Sequence, residues 1–254
     1  MTRLSVCIEM FWGDLPMEER IARVAALGFP AFEFWGWKNK DIPAIKAAMT
    51  EHNIPIAALC LEPGHSLIRR HYEAEMVQAM KDTAAVAAEL NCKTIIATVG
   101  NTIDDESYEI SRRRVVRNVR AIGKVAEDHG LTIVLEPLNT LVDHHGYWLR
   151  TMAQAVDIVQ EVGSPAVKIL MDIYHQQITE GNNIANLTEY IDEIGHFHTA
   201  GVPGRHELVG GEQDYRAIFK AIDATGYDGY VGLEYRPTMD TEESLKQALS
   251  LVED

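Results

Sequence analysis

The fold is decided by units such as residues 152–172, MAQAVDIVQEVGSPAVKILMD, which combine a helix, a glycine and a strand. In Met152–Val162 the apolar side chains recur every three or four residues, a spacing that predicts an amphipathic helix. Gly163 follows at a place where helices commonly end in a left-handed residue. Val167–Asp172 is almost continuously apolar, which is typical of a strand buried on both faces of a parallel sheet.

The same unit recurs along the whole chain of 254 residues. The predicted strands are residues 4–9, 31–35, 56–62, 94–99, 132–138, 167–172, 195–200 and 230–235. The predicted helices are residues 18–27, 42–52, 73–90, 111–128, 152–162, 186–191, 215–225 and 242–252. Eight units of about 32 residues match the size of a strand–helix repeat. We therefore predict an α/β fold, a single (β/α)8 TIM barrel domain over residues 1–254.

An open, doubly wound sheet is the alternative arrangement of such units. That fold normally carries a glycine-rich turn after its first strand. Here residues 10–13 read MFWG and contain a single glycine. The barrel is therefore favoured over the open sheet.

The composition excludes several classes of function. Lys and Arg number 23 against 38 Asp and Glu, a formal net charge of -15, which disfavours nucleic acid and anionic lipid as partners. No apolar run reaches the roughly 18–20 residues that span a bilayer, and the N-terminal residues lack the pattern of a signal peptide. The three cysteines form no CxxC motif and are expected to be buried, free thiols. We expect a cytoplasmic protein that acts on small molecules.

Acidic residues and histidines stand at the carboxyl ends of predicted strands, where TIM-barrel enzymes carry their catalytic groups. Strands five to eight supply Glu136, Asp172, His198 and Glu234. Adjacent strands lie about 4.8 Å apart, so these four side chains can converge on one point. Three carboxylates and one imidazole form a hard, mainly oxygen ligand set, which suits Mn2+ or Mg2+ first and Co2+ or Zn2+ second.

Other charged residues near the predicted strand ends have simpler explanations. Hydrogen-bonded structural roles are expected for Glu9, Glu33 and Glu62. The triplet at 143–145, Asp-His-His, lies in a loop, where a capping or solvated role is expected. Because Phe197 separates His196 from His198, we expect only one of the two histidines to face the barrel interior and the other to lie behind the sheet.

Two further residues are candidates for substrate contact. His175 follows Asp172 by three residues and would overhang the four-residue cluster. Arg205 lies in a glycine-rich loop after the seventh strand, where it could hold an anion or a hydroxyl. The alternative for Arg205 is an ion pair with Glu207 or Glu212.

Glu136 and Glu234 come from strands on opposite sides of the cluster, so they can flank a bound substrate. A divalent ion that binds a carbonyl and the adjacent hydroxyl acidifies the C–H between them by stabilising an enediolate. One carboxylate can then remove the proton while the other protonates the neighbouring carbon or the opposite face. These steps are the chemistry of an aldose–ketose isomerase or of an epimerase.

Five segments together carry a resemblance to a known family. They are residues 135–139 (LEPLN), 171–175 (MDIYH), 194–198 (IGHFH), 203–207 (PGRHE) with 211–212 (GE), and 232–237 (GLEYRP). Over nearly its whole length the chain resembles the hydroxypyruvate isomerase family, within the xylose-isomerase-like TIM barrel superfamily. The resemblance implies one metal ion bound by Glu136, Asp172, His198 and Glu234. It implies that Glu136 and Glu234 form the acid/base pair. It also implies that His175 and Arg205 contact the substrate.

Two departures from the family pattern leave the substrate open. Position 198 is His, as in the related ketose 3-epimerases, whereas hydroxypyruvate isomerases tend to carry Gln there. The loop at 138–143, LNTLVD, lacks the Asn-Arg-Phe-Glu-like segment of the 3-epimerases. We therefore expect isomerisation of hydroxypyruvate to tartronate semialdehyde, or of a related sugar acid, with a ketose 3-epimerase as the alternative.

Less favoured readings are an endonuclease IV-like DNA repair enzyme and a non-catalytic sugar binder. The first needs a multi-zinc histidine cluster and a basic face, which the charge of -15 opposes. The resemblance implies that the partner is a small carbohydrate or a 2-oxo acid. It also implies that the chain can associate into a homo-oligomer, as barrels of this family commonly do.

Overall fold

A computed structural model describes residues 1–64 and 66–252. Eight parallel strands form a closed barrel in which each strand pairs with its neighbour in sequence and the eighth pairs with the first. The strands are Arg3–Cys7 (β1), Ala31–Phe34 (β2), Ile56–Cys60 (β3), Thr94–Ala97 (β4), Thr132–Leu135 (β5), Val167–Asp172 (β6), Ile194–Thr199 (β7) and Tyr230–Leu233 (β8). The order confirms the predicted single-domain TIM barrel and rules out the open sheet.

Nine α-helices within the described residues surround the barrel. They are Met17–Ala26 (α1), Ile42–Glu51 (α2), Glu73–Leu90 (α3), Tyr108–His129 (α4), Met152–Val162 (α5), Ile173–Thr179 (α6), Asn183–Glu189 (α7), Tyr215–Ala224 (α8) and Thr241–Leu249 (α9). Helix α6 has no counterpart in the sequence prediction, because seven residues are too few to show a helical period. The predicted helix at 186–191 is part of α7 followed by a 3-10 turn at Ile191–Glu193.

The unit at 152–172 forms as the sequence predicts. Thr151 caps the start of α5, and its side chain accepts a hydrogen bond from the backbone N–H of Gln154. Gly163 ends the helix with a φ of 69°, in the left-handed region that favours glycine. Strand β6 then runs to Asp172, the last residue that pairs with β7.

Several strands end earlier than predicted. Strands β1, β3, β5 and β8 stop one or more residues before the acidic residues in or at the end of the predicted runs, which are Glu9, Glu62, Glu136 and Glu234. Burial continues past the ends of the strands, since Leu61 and Leu138 are each 3% exposed. Hydrophobicity alone therefore could not mark where the strand pairing stops.

The interior of the barrel has an apolar half and a polar half. On the side of β3 to β6 a separate buried cluster consists of Ala58, Ile96, Val134 and Leu170. On the side of β1, β2 and β7 the interior holds polar side chains, all buried: Ser5, Glu33, His196 and His198. Small and medium aliphatic groups fill the first half as in other barrels. The second half requires hydrogen bonds and charge pairs to compensate for the loss of water.

The structure also describes the three cysteines and the apolar character of the helices. Cys7, Cys60 and Cys92 are free thiols, as expected; Cys7 and Cys92 are buried, whereas Cys60 is only partly buried. Within residues 1–64 and 66–252, no helix combines the length and the apolar character needed to cross a membrane.

A substitution at Phe197 in β7 tests the packing on the outer face of the barrel. The side chain is fully buried, and its ring meets the ring of Tyr227 edge to face at 5.0 Å. We expect Phe197→Ala to lower the free energy of unfolding by about 3–5 kcal/mol, because it removes a large buried side chain and leaves a cavity. Urea unfolding followed by circular dichroism measures the change.

Leu141→Ala is the control, because this leucine is 68% exposed. Its effect should stay within about 0.5 kcal/mol. Equal effects of the two substitutions would contradict the packing described for β7.

Candidate active site

The four predicted metal ligands meet at the carboxyl end of the barrel. Glu136 and Glu234 directly follow β5 and β8, and Asp172 pairs in register with His198 of β7. One ligand atom from each of the four residues lies within 4.8 Å of the others, and all four residues are buried. The strand order therefore brings together the side chains that the sequence singled out.

Asp172 is fixed by the helix that follows it. Its Oδ1 accepts hydrogen bonds from the backbone N–H groups of Tyr174, at 2.8 Å, and His175, at 3.3 Å, and so caps α6. Its Oδ2 is left facing the cluster, 3.6 Å from a guanidinium nitrogen of Arg205. The short helix thus orients one oxygen of this carboxylate toward the site.

Trp35 and Arg205 hold the carboxylate of Glu234. The indole N–H of Trp35 donates to its Oε1 at 2.6 Å, and the guanidinium of Arg205 pairs with its Oε2. Burial alone would raise the pKa of Glu234, but Arg205 and His198 lower it below its usual range. Glu234 is therefore ionised and fixed in orientation.

His198 stands between the carboxylates. Its Nδ1 lies 3.3 Å from Glu234 Oε2 and 3.7 Å from Glu136 Oε1, and has no hydrogen-bond partner within the described part of the chain. Although burial alone would lower the pKa of His198, Glu33 and Glu234 raise it. A buried nitrogen that lacks a hydrogen bond among carboxylates marks a point where a cation is favoured. The donor set therefore fits a divalent metal ion.

Glu33 in β2 supports the histidines from inside the barrel. Its Oε1 lies 2.8 Å from Nε2 of His198, and its Oε2 lies 2.8 Å from Nε2 of His196 and 3.2 Å from the donor Ser5 Oγ. Burial alone would raise the pKa of Glu33, but the two histidines lower it to about 2. Glu33 is thus hydrogen-bonded, as predicted.

The expectation that only one of these histidines faces the interior is wrong. Residues two apart on a strand lie on the same face, so His196 and His198 both point inward. Phe197 between them points outward, where its ring packs on Tyr227. Both histidines consequently reach the same glutamate.

His175 forms part of the wall above the cluster and is fully buried. The Nδ1 atom of His175 lies 2.7 Å from the side-chain nitrogen of Asn139 and 3.4 Å from the backbone nitrogen of the same asparagine. Both nitrogens are donors, so Nδ1 accepts and Nε2 carries the proton. Nε2 lies 3.5 Å from Asp172 Oδ2. Burial, together with Arg205, lowers the pKa of His175 to about 3, so the ring is a neutral donor at pH 7.

Arg205 pairs with the cluster and not with its own loop. The predicted alternative, an ion pair with Glu207 or Glu212, is wrong because the guanidinium contacts Glu234 and Asp172. Glu207 instead accepts hydrogen bonds from the backbone and hydroxyl of Thr238. Arg205 therefore neutralises part of the buried negative charge.

The other acidic residues at the strand ends have local partners. Glu9 pairs with Lys40 at 2.6 Å. Glu62 accepts hydrogen bonds from the backbone N–H groups of Trp37 and Lys38. The structural roles expected for these two glutamates match the observed contacts.

The loop triplet 143–145 does not converge on one point. Asp143 accepts hydrogen bonds from Asn139 and Tyr174, and His145 Nδ1 lies 2.8 Å from the carbonyl oxygen of Thr140. The ring of His144 packs against His175 at 5.2 Å. Asp143 and His144 line the cavity above the cluster, which the sequence did not indicate.

That cavity has a volume of about 570 Å³ and lies over the cluster. Leu61, Ile96 and Leu138 form much of its apolar wall, while the polar wall includes His175 and Arg205. Trp35 also lines it, and sequence analysis missed this residue because an aromatic side chain at a strand end is an ordinary core pattern. The volume is sufficient for a small organic substrate.

Comparison with known proteins places the chain in a family. Residues 21–254 match the family described as xylose isomerase-like TIM barrel. The chain therefore belongs to this family, and the fold expected from the resemblance is confirmed.

Individual relatives are similar over almost their full length. The chain is 31% identical over 254 residues to hydroxypyruvate isomerase of Escherichia coli (strain K12), covering 97% of this chain and 98% of that protein. It is 30% identical over 252 residues to 2-oxo-tetronate isomerase of Cupriavidus necator, covering 96% of each. Among solved structures, one described as AP endonuclease, family 2, from Brucella melitensis has a TM-score of 0.94 and 28% identity, with full coverage of both chains.

Gly232 in β8 leaves the space that the glutamate–histidine pair occupies. A Cβ atom at this position would lie 2.2 Å from Glu33 Oε1 and 2.6 Å from His198 Cδ2. We expect Gly232→Ala to lower the free energy of unfolding by about 1–3 kcal/mol, because the added methyl group overpacks a buried polar contact. Thermal or urea unfolding measures the loss.

Gly13→Ala is the matched control, since a Cβ there would meet no described atom within 4 Å. The control should unfold like the wild type. If Gly232→Ala also unfolds like the wild type, the close contact between Glu33 and His198 is contradicted.

Proposed function

We propose that the chain is an isomerase of a small hydroxy-carbonyl acid, with hydroxypyruvate and tartronate semialdehyde, or a related sugar acid, as substrate and product. The observation that carries the proposal is the pair of buried carboxylates, Glu136 and Glu234, on either side of His198 Nδ1 and both lining one cavity. The names of the Escherichia coli and Cupriavidus necator relatives, both isomerases, support it.

Four residues would hold one divalent metal ion, Mn2+ or Mg2+ first: Glu136, Asp172, His198 and Glu234. The chemistry that such an ion supplies is stabilisation of the negative charge that develops on adjacent carbonyl and hydroxyl oxygens when the C–H between them is deprotonated. Oxygen-rich ligand sets favour these two ions.

Glu136 and Glu234 carry the proton transfers in this proposal. One carboxylate removes a proton from the hydroxymethyl carbon C3 and the other returns a proton to C2. The proton of the C3 hydroxyl passes to the C2 oxygen, so the 2-ketone becomes a hydroxyl and C3 becomes the aldehyde. Trp35 and Arg205 hold the oxygens of Glu234 in place. The two glutamates follow β5 and β8, so they approach the substrate from different sides of the cavity.

His175 and Arg205 position the substrate. His175 carries its proton on Nε2, which lies at the edge of the cluster and can donate to a substrate oxygen. Arg205 lines the cavity while it neutralises Glu234 and Asp172. Leu61, Ile96 and Leu138 supply apolar wall to the same cavity and limit the access of water to the reacting carbons.

A ketose 3-epimerase is the second candidate, and His at position 198 favours it. The same two carboxylates would remove and return a proton at one carbon from opposite faces. An endonuclease IV-like activity has less support. Among the described residues the two groups that could hold a metal share His198, and the net charge is -15.

Glu136→Gln tests the acid/base pair. Wild-type protein loaded with Mn2+ should convert hydroxypyruvate in D2O and place solvent deuterium in the product. The variant should lose about 10²- to 10⁴-fold in kcat, because the amide can neither accept nor donate the transferred proton. Proton NMR of the reaction mixture measures both turnover and deuterium incorporation.

Glu212→Gln is the control for the loss of one carboxylate at an exposed position, and its turnover should equal that of the wild type. Unchanged turnover in Glu136→Gln would remove Glu136 from the acid/base pair. Deuterium at C3 of an unisomerised ketose, with no turnover of hydroxypyruvate, would replace the isomerase by the 3-epimerase.

A further inference from the structure

The cavity above the cluster has an uneven balance of charge. Among its described lining residues, permanent positive charge is carried by Arg205 and Arg236. The guanidinium of Arg205 is already paired with Glu234 and lies 3.6 Å from Asp172. Glu62 and Asp143 add negative charge to the wall. An anionic substrate that enters this cavity therefore needs a cation that is not already neutralised.

Arg236 is such a cation. The residue is exposed at the cavity, and its guanidinium makes no ion pair or hydrogen bond with the residues that the structure describes. Its backbone, in contrast, is fixed. The N–H donates to the carbonyl oxygen of Arg205 at 2.8 Å, and the Arg236 carbonyl accepts from Nδ1 of His206 at 2.9 Å.

The neighbouring residues hold this segment in place. Tyr235 is fully buried, with its hydroxyl 2.8 Å from that of Ser244, while the residues on either side of it, Glu234 and Arg236, both line the cavity. This alternation is typical of an extended segment. Just beyond it, the carboxylate of Glu207 accepts hydrogen bonds from Thr238. The segment thus presents a free guanidinium on a rigid backbone, two residues after a candidate catalytic carboxylate.

We infer that Arg236 binds the carboxylate of an anionic substrate and so selects sugar acids over neutral sugars at this site. A guanidinium presents parallel N–H donors that match the two oxygens of a carboxylate. The inference rests on the proposed function, since it assigns the substrate class of the same site. Because the chain has a net charge of -15, it repels an anionic substrate overall. A guanidinium at the cavity offsets this repulsion locally.

Two substrates that differ only in the carboxylate test this role. Dihydroxyacetone is hydroxypyruvate with a hydroxymethyl group in place of the carboxylate. With Mn2+ present, Arg236→Gln should raise KM for hydroxypyruvate about 10- to 100-fold, the effect of losing charge-assisted hydrogen bonds, with kcat nearly unchanged. Its kinetics on dihydroxyacetone should match those of the wild type. The KM of Arg236→Lys for hydroxypyruvate should lie between the values of the wild type and Arg236→Gln, because lysine keeps the charge but not the paired donors.

Arg113→Gln is the matched control, an exposed arginine on α4 that removes the same charge away from the cavity. It should leave both substrates unaffected. A fall in activity of Arg236→Gln that is equal for the two substrates, or no fall at all, would overturn the inference.

If the wild type turns over neither substrate, the proposed function fails, and binding then decides the role of Arg236. Calorimetric titration of the same proteins with hydroxypyruvate and dihydroxyacetone gives the two dissociation constants. The inference holds if Arg236→Gln weakens the binding of hydroxypyruvate alone. It falls if hydroxypyruvate binds the wild type and the variant equally, or binds neither.

Discussion

The arrangement of this barrel depends on one electrostatic constraint, the burial of three carboxylates around a single imidazole. Ionised groups are costly away from water unless they are paired, hydrogen-bonded or bound to a metal. Arg205 and Trp35 stabilise the buried charge of Glu234, and the backbone N–H groups in the first turn of α6 stabilise that of Asp172. One ligand atom from each carboxylate and one from His198 still lie within 4.8 Å of one another. The site that results is prepared for a cation.

The polar half of the barrel interior follows from the same constraint. Oε1 of Glu33 contacts Nε2 of His198 on the side away from the cluster. Oε2 of Glu33 is hydrogen-bonded to His196 and Ser5. A second carboxylate behind a candidate ligand histidine fixes which ring nitrogen faces the metal. Gly232 provides the space for this contact. In the apolar half, on β3 to β6, Ala58, Ile96, Val134 and Leu170 pack together like an ordinary barrel core.

The sequence predicted the barrel and the four converging side chains, because strand period, repeat length and strand-end charges are all local patterns. What it could not predict depended on contacts between distant segments. Arg205 pairs with Glu234, 29 residues away, where a local ion pair was the expected alternative. Glu33 contacts both His196 and His198 because both face inward, as the two-residue period of a strand implies. The prediction of a single inward histidine therefore concealed the role of Glu33. Arg236 carried no signal of its own, since an exposed arginine is ordinary until its neighbours are known to be paired.

Isothermal titration calorimetry of the metal-free protein with Mn2+ measures directly whether the cluster binds a cation. We expect saturable binding of one ion per chain. We also expect Asp172→Asn to bind Mn2+ at least about 10-fold more weakly with an unchanged unfolding midpoint, since asparagine keeps an oxygen to cap α6. Absence of saturable binding to the wild type, or equal affinity in the variant, would show that these four residues are not a cation site.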